Sequence, residues 1–380
     1  MAPFVFATTP RIVFGAGAIA RIGALAAERL GPRVLVVTDV GLLRAGLVQP
    51  ALDALAQAGI AASVFDPVTA DPPEALVADG VAAAKAHEAT GIVGLGGGSP
   101  LDVAKVIALV AGSGEALAEA YGVGLAKGPR LPLLLAPTTA GTGSEVTPIA
   151  ILTTGAHEKK GVVSPLLLPD IALLDPDLTL GLPPAITAAT GVDAMVHAIE
   201  AFTSTSPNAN PVSKALAREA LRLLGGAIER AVADGGDRAA RADMLLGSML
   251  AGQAFANSPV AAVHALAYPL GGHFGIPHGL SNALVLTHVM RFNLPACADA
   301  YAALAPCAFA DCPEDAQALV DRLEALCARL DLPPRLRDVG VPENAIGMLA
   351  QDAMAQTRLL VNNPRPVTLA DATAIYRAAW

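Results

Sequence analysis

The chain is poor in several features that would tie it to a specialised class. Only four cysteines occur in 380 residues, Cys297, Cys307, Cys312 and Cys327, and none forms a CxxC pair. A disulfide scaffold needs dense, paired cysteines, so these read as buried reduced thiols. Charged residues make up 16% of the sequence against 53% hydrophobic residues, the opposite of a disordered composition. Basic residues are outnumbered, 25 Lys and Arg against 34 Asp and Glu, and the net charge is −9 without any Lys/Arg cluster. A nucleic-acid backbone needs a basic face, so that partner class is excluded. Long apolar runs are missing too. Mean hydropathy is +0.52, yet Gly, Pro, Asp or Arg interrupts the apolar stretches before the ~18–20 residues that span a bilayer. The opening MAPFVFATTPRIVFG lacks a basic region followed by a long apolar run. Neither a secretory signal nor a membrane partner is expected, and the cytoplasm is the expected location.

What is present is order of two kinds. At 380 residues, two domains of ordinary size are expected. In the first half, short apolar runs at Val34–Thr38, Ala62–Phe65, Ile92–Leu95, Leu131–Ala136, Ile149–Thr153 and Ile171–Asp175 alternate with helical patterns. That alternation predicts parallel strands joined by crossover helices. After Leu180-Gly181-Leu182-Pro183-Pro184 the strand signals stop and Ala/Leu-rich helical periodicity takes over, with proline placed to start a helix. The expected organisation is an α/β domain over 1–182 with a parallel sheet and an all-helical domain over 183–380.

Two loops in the first half suit a nucleotide. Gly96-Gly97-Gly98-Ser99-Pro100-Leu101-Asp102 follows the run Ile92–Leu95 and opens a helix. Glycines let backbone amides approach a pyrophosphate, and the helix N-terminus adds partial positive charge. Asp102 also suits a plain helix start. Pro137-Thr138-Thr139-Ala140-Gly141-Thr142-Gly143-Ser144-Glu145 follows the next strand and brings hydroxyl groups to the carboxyl end of the sheet, where ligands bind. Asp39 ends an earlier strand, from which a carboxylate can accept from an adenosine ribose and repel a 2′-phosphate, favouring NAD over NADP. Gly15-Ala16-Gly17-Ala18-Ile19-Ala20 lacks the third glycine of a dinucleotide fingerprint and reads as a turn into a helix. His157 reads as a surface loop residue.

The second half carries a candidate metal site. Asp193 and His197 are four apart inside a helical pattern, hence on one face. An acid and an imidazole on an apolar face are costly to bury without a partner. His264 and His278 flank a Pro/Gly break. Three imidazoles and one carboxylate suit Fe²⁺, Zn²⁺, Co²⁺ or Ni²⁺ better than Mg²⁺.

The segments GGGSPLDVAK, PTTAGTGSEVTP, GVDAMVHAIEAF and HALAYPLGGHFGIPHG together resemble the iron-containing (group III) alcohol dehydrogenases, over Phe14-Gly15 to Asn363-Pro364. The resemblance implies a dehydroquinate synthase-like architecture, an NAD(P)-binding α/β domain followed by a helical metal domain, with cofactor and substrate in a cleft. It implies metal ligation by Asp193, His197, His264 and His278, with Fe²⁺ the implied ion and Zn²⁺ the alternative. It implies cofactor contacts at Asp39, Gly97, Gly98, Ser99, Asp102, Thr138, Thr139 and Lys160. The implied activity is hydride transfer between NAD(H) and a small alcohol, aldehyde or ketone, by a homo-oligomer, expected as a dimer. Tyr268 stands where many relatives carry a histidine near the nicotinamide, so Tyr268 and His273 are the candidates for a proton relay. Tyrosine at that position is similar to the family's hydroxyacid-oxoacid transhydrogenases, one alternative activity; maleylacetate reductase-like activity is another, although paired histidines of that branch are missing. A sugar-phosphate cyclase of the same architecture would need basic residues for a substrate phosphate, and few lie near the metal motifs.

Overall fold

Short β-branched and leucine-rich runs form the central sheet of the first unit. The computed structural model describes residues 3–155 and 158–380, so the expectation for His157 falls outside the described residues. Among the described residues there are nine strands: β1 (Arg11–Phe14), β2 (Arg33–Val37), β3 (Ala61–Phe65), β4 (Gly91–Gly96), β5 (Gly122–Val123), β6 (Leu133–Pro137), β7 (Ile149–Thr154), β8 (Glu158–Val163) and β9 (Ile171–Leu174). Six of them make one sheet in the order β1-β9-β6-β4-β2-β3, parallel at every pairing. Both faces are covered. Val34, Val36, Val93, Leu95, Leu134 and Ala136 point into one apolar cluster, whereas Leu35, Val37, Ile92, Leu133 and Leu135 point into another. That is why these strands read as continuous apolar runs rather than alternating ones.

The strand order fixes where a ligand can sit. From β2 the chain steps outward to β3, then crosses back to β4 on the other side of β2. The switch point therefore lies between the carboxyl ends of β2 and β4, the crevice in which open α/β sheets bind ligands.

The run Ile149–Thr153 departs from the expected parallel alternation. It lies in β7, which pairs antiparallel with β8 in a separate three-stranded sheet ordered β5-β8-β7. Only three residues separate β7 from β8, too few for the crossover that a parallel pairing needs. The alternating burial of β7 is that of a strand with one covered face.

The chain divides into two compact units, one of residues 7–139 and 143–180, the other of Gly181–Trp380 with 140–142 and the N-terminal residues through Phe6. The attachment of those short segments has local causes. Val5 exchanges backbone bonds with the Asn208 side chain, and a Cβ on Gly141 would lie 2.7 Å from Thr190 Cβ. Among the described residues from Gly181 onward there is no strand. Long helices dominate, including Pro184–Thr203, Pro211–Ala233, Arg238–Asn257, Ala262–Phe274 and His278–Ala308. No helix among the described residues is long and apolar enough to cross a membrane.

Candidate functional site

The helix Pro184–Thr203 carries Asp193 and His197 one turn apart, both almost completely buried. The helix Ala262–Phe274 presents His264 in its first turn. Gly275 ends that helix with a left-handed φ of 64°, a conformation that glycine adopts freely, and the chain restarts so that His278 opens the helix His278–Ala308. The break turns two sequence neighbours back toward the same point. One ligand atom from each of Asp193, His197, His264 and His278 lies within 4.8 Å of the others. His264 Nε2 and His278 Nε2 stand 3.9 and 3.7 Å from Asp193 Oδ1. The imidazole of His197 stacks between Phe255 and His264, at centroid separations of 4.3 and 4.7 Å.

The donor set fits a transition metal. Burial pushes the His197 imidazole down to about 3, so it is neutral at physiological pH, the form that ligates. Its Nδ1 is buried, and the Gly141 backbone interacts with the ring. Burial raises the Asp193 carboxyl, but the three histidines and the Asn282 amide outweigh it and hold the group below the usual carboxylate range. One anion and three imidazoles converging on a point with so little hydrogen bonding among themselves fit an N/O site for Fe²⁺ or Zn²⁺.

Two further residues touch this group and were not singled out from the sequence. Asn282 Nδ2 donates to Asp193 Oδ1 at 2.5 Å and lies 3.3 Å from Nε2 of both His264 and His278. Glu200 accepts from His264 at Nδ1, 2.7 Å away. The available signal was spacing, since Asn282 follows His278 by four and Glu200 follows His197 by three.

The two proton-relay candidates lie in different surroundings. Tyr268 is half-buried beside the cluster, its ring 5.9 Å from that of His278. His273 is exposed and its Nε2 meets Asp352 Oδ2 at 2.5 Å. Nine residues at 100° each put His273 about half a turn away from His264 on a straight helix, so it joins another surface.

In the first unit, Asp39 follows β2, Gly97, Gly98 and Ser99 follow β4, and Thr138 and Thr139 follow β6. These are neighbouring strands, so the six residues gather at the carboxyl ends of the sheet around the switch point. Thr138 N donates to Gly96 O at 2.9 Å, tying the glycine and hydroxyl loops together. A Cβ on Gly97 would lie 3.4 Å from Thr139 Cγ2. Asp39 Oδ1 caps the short helix Val40–Arg44 by accepting from Leu42 N. Lys160 lies in β8 of the small sheet, half-buried, with Nζ 3.2 Å from Glu158.

Asp102 does a different job from the glycines beside it. Its carboxylate accepts from Ser144 Oγ and from Ile151 N, at 2.6 and 2.9 Å. Lys105, one turn on and fully buried, donates to Thr147 Oγ1 and Ile149 O. Together they fasten the segment after β6 to the helix Gly98–Ser113. Glu145 completes this buried group, and burial carries its carboxyl up to about 7 against the opposing pull of Lys105. Burial likewise lowers Lys105 to about 8. Unfolded, Glu145 would release its proton near 4.5; folded, it keeps it to about 7, so over that window this residue makes stability fall as pH rises. Glu145→Gln should remove that slope from the unfolding free energy of this unit between about pH 4.5 and 7, read by thermal denaturation at a series of pH values; an unchanged slope would show that another group titrates there.

The Gly15–Ala20 turn is already satisfied. Asp175, fully buried, accepts from Gly17 N and Asp177 N through Oδ1 and from Ile19 N through Oδ2.

Residues 9–176 match the family described as iron-containing alcohol dehydrogenase, and residues 187–380 match the C-terminal part of the Fe-containing alcohol dehydrogenase family. Long-chain-alcohol dehydrogenase 1 of Geobacillus thermodenitrificans is 43% identical over 362 residues, covering 93% of this chain and 91% of that protein. The crystal structure of a 1,3-propanediol oxidoreductase is similar with a TM-score of 0.95 at 36% identity, over 100% of both chains. A sulfoacetaldehyde reductase from Bifidobacterium kashiwanohense, in complex with NAD⁺, gives a TM-score of 0.89 at 30% identity, over 100% of this chain and 99% of that one.

Proposed function

The chain belongs to the iron-containing alcohol dehydrogenase family, and from that premise we propose that Asp193, His197, His264 and His278 hold one divalent metal, Fe²⁺ in the first instance, for NAD-linked oxidation of small alcohols and reduction of the matching carbonyls. The observation that carries this reading is the convergence of one carboxylate and three imidazoles within 4.8 Å. When bound, the metal supplies a Lewis acid that lowers the pKa of an alcohol hydroxyl. The residues of the chain do the rest. Amides of Gly97, Gly98 and Ser99 at the start of the helix Gly98–Ser113 receive the pyrophosphate, and Thr138 and Thr139 line the nucleotide. Asp39 accepts from the adenosine ribose and repels a 2′-phosphate, setting the preference for NAD. Lys160 is a further cofactor contact in this reading, and Asp102 holds the loop that carries the hydroxyls. A cytoplasmic homo-oligomer without nucleic-acid or membrane partners belongs to the same reading.

The direct test is NADH formation from a panel of alcohols and 2-hydroxy acids by metal-stripped protein reconstituted with Fe²⁺ or Zn²⁺. Metal-dependent NADH formation is expected; turnover that ignores the metal would sink the proposal.

Tyr268 is assigned to packing against the nicotinamide rather than to an obligatory relay. A phenol titrates near ~10 and is a poor base at neutral pH, and a divalent ion held by the four residues would lower the alcohol's own pKa, so no base on the chain would be required. Tyr268→Phe keeps the ring and should leave kcat within about twofold and metal content unchanged. A strong loss of kcat with an altered alkaline limb would instead make the hydroxyl a relay.

A further inference from the structure

Glu200 lies seven residues after Asp193 on the helix Pro184–Thr203, 20° short of two full turns, so its side chain leaves the same face as the proposed metal ligands. It is 4% exposed. A carboxylate that deep is costly unless both oxygens are occupied, and both are. Oε2 lies 2.7 Å from His264 Nδ1, and Oε1 accepts from Val263 N at 2.7 Å. These two partners are consecutive residues at the start of the helix Ala262–Phe274, whose own N-cap residue, Ala261, supplies no side-chain cap. The carboxylate therefore takes a first-turn amide that the helix cannot satisfy itself and a ring nitrogen that the metal cannot use.

We propose that Glu200 is a positioning residue for the metal: by accepting the Nδ1 proton of His264 it fixes the ring as the tautomer whose Nε2 lone pair faces Asp193 and His278, and it adds a second negative charge behind the site. The inference rests on the four-ligand reading above. The chemistry follows from the two nitrogens of imidazole: once one is bound to a carboxylate as donor, the other is the acceptor, and its basicity rises. His264 Nε2 does face the cluster, 3.9 Å from Asp193 Oδ1. Helix capping alone would need only Oε1 on Val263; the second oxygen is committed to the ring.

The test uses the full chain stripped of metal and titrated with Co²⁺, which reports coordination by its visible absorption. Wild-type protein should take up one Co²⁺ per chain. Glu200→Gln keeps the size of the side chain but replaces one oxygen with an NH₂ group, which opposes either the Val263 amide or the His264 N–H. It should bind Co²⁺ about 10–100-fold more weakly in competition with a chelator and shift the absorption bands. A purely capping role would lower the unfolding midpoint of the metal-free protein and leave both the affinity and the bands unchanged, and that result overturns the inference. Wild-type protein that binds no Co²⁺ fails the four-ligand reading itself, a distinct result. If Glu200→Gln does not fold, the wild type still decides. In ¹⁵N-histidine-labelled, Zn²⁺-loaded protein, His264, identified by its loss in His264→Gln, should show a protonated Nδ1. An unprotonated Nδ1 overturns the inference.

Discussion

Replacing His278 with alanine should abolish stoichiometric metal binding and lower kcat by roughly 10³-fold, while the unfolding midpoint of the metal-free protein stays close to that of wild type. The Lewis acid contributes several kcal/mol of barrier lowering, and about 1.4 kcal/mol corresponds to each factor of ten. His278 is the ligand to choose because its surroundings tolerate the loss. Its side chain is 39% exposed, whereas that of His264 is 3% exposed and pairs with Glu200. Truncating His264 would leave one oxygen of the buried Glu200 carboxylate without its partner, which costs on the order of 1–3 kcal/mol or more and confuses lost metal with lost fold. The His278 change leaves that pair intact. Metal content by elemental analysis, kcat on the best alcohol and the apo unfolding midpoint make one experiment. A metal-free His278→Ala protein that turns over at the wild-type rate would remove the metal from the reaction.

The parts of this site that were legible in the sequence are those set by local periodicity. Asp193 and His197 share a face because they are four apart, and that rule needs no knowledge of the fold. The Pro/Gly break between His264 and His278 announced a change of direction, though not where the second helix would point. The buried strands were legible as apolar runs because the sheet is covered on both sides. What escaped depends on partners distant in sequence. β8 begins Glu158-Lys159-Lys160, a polar run recognisable as a strand only through its antiparallel pairing with β7. Asp102 was placed with the cofactor loop by its position, yet its carboxylate partners, Ser144 and Ile151, come from 42 and 49 residues away. Glu200 and Asn282 could be put on the right helix faces but not against His264 and Asp193. His273 shows the converse, a residue close to the site in sequence that helical geometry turns away from His264.

Asp175→Ala should lower the unfolding free energy of the first unit by about 3–5 kcal/mol and leave NAD affinity within roughly threefold. Its carboxylate is fully buried and accepts three amide bonds, from Gly17, Ile19 and Asp177. Bonds to a charged group contribute about 1.5–3 kcal/mol each, and orphaned buried donors cost a further penalty that relaxation and water recover only in part. At about 2–4 °C per kcal/mol for a unit of this size, the thermal midpoint should drop by roughly 6–20 °C. The second expectation separates the two glycine-rich turns. A pyrophosphate at Gly15–Ala20 would have to displace the Asp175 carboxylate from the amides it occupies, or sit against a like charge. At Gly97–Ser99 a phosphate would instead meet the first turn of a helix with no side-chain cap, where the amides have no acceptor within the helix. Removing Asp175 therefore weakens the fold of the first turn without touching the nucleotide. Midpoint and NAD affinity are both measurable on one protein, the latter at a temperature well below the lowered transition. A variant with an unchanged midpoint and NAD affinity weakened or strengthened more than tenfold would move the pyrophosphate to Gly15–Ala20 and displace the reading of the Gly97–Ser99 loop.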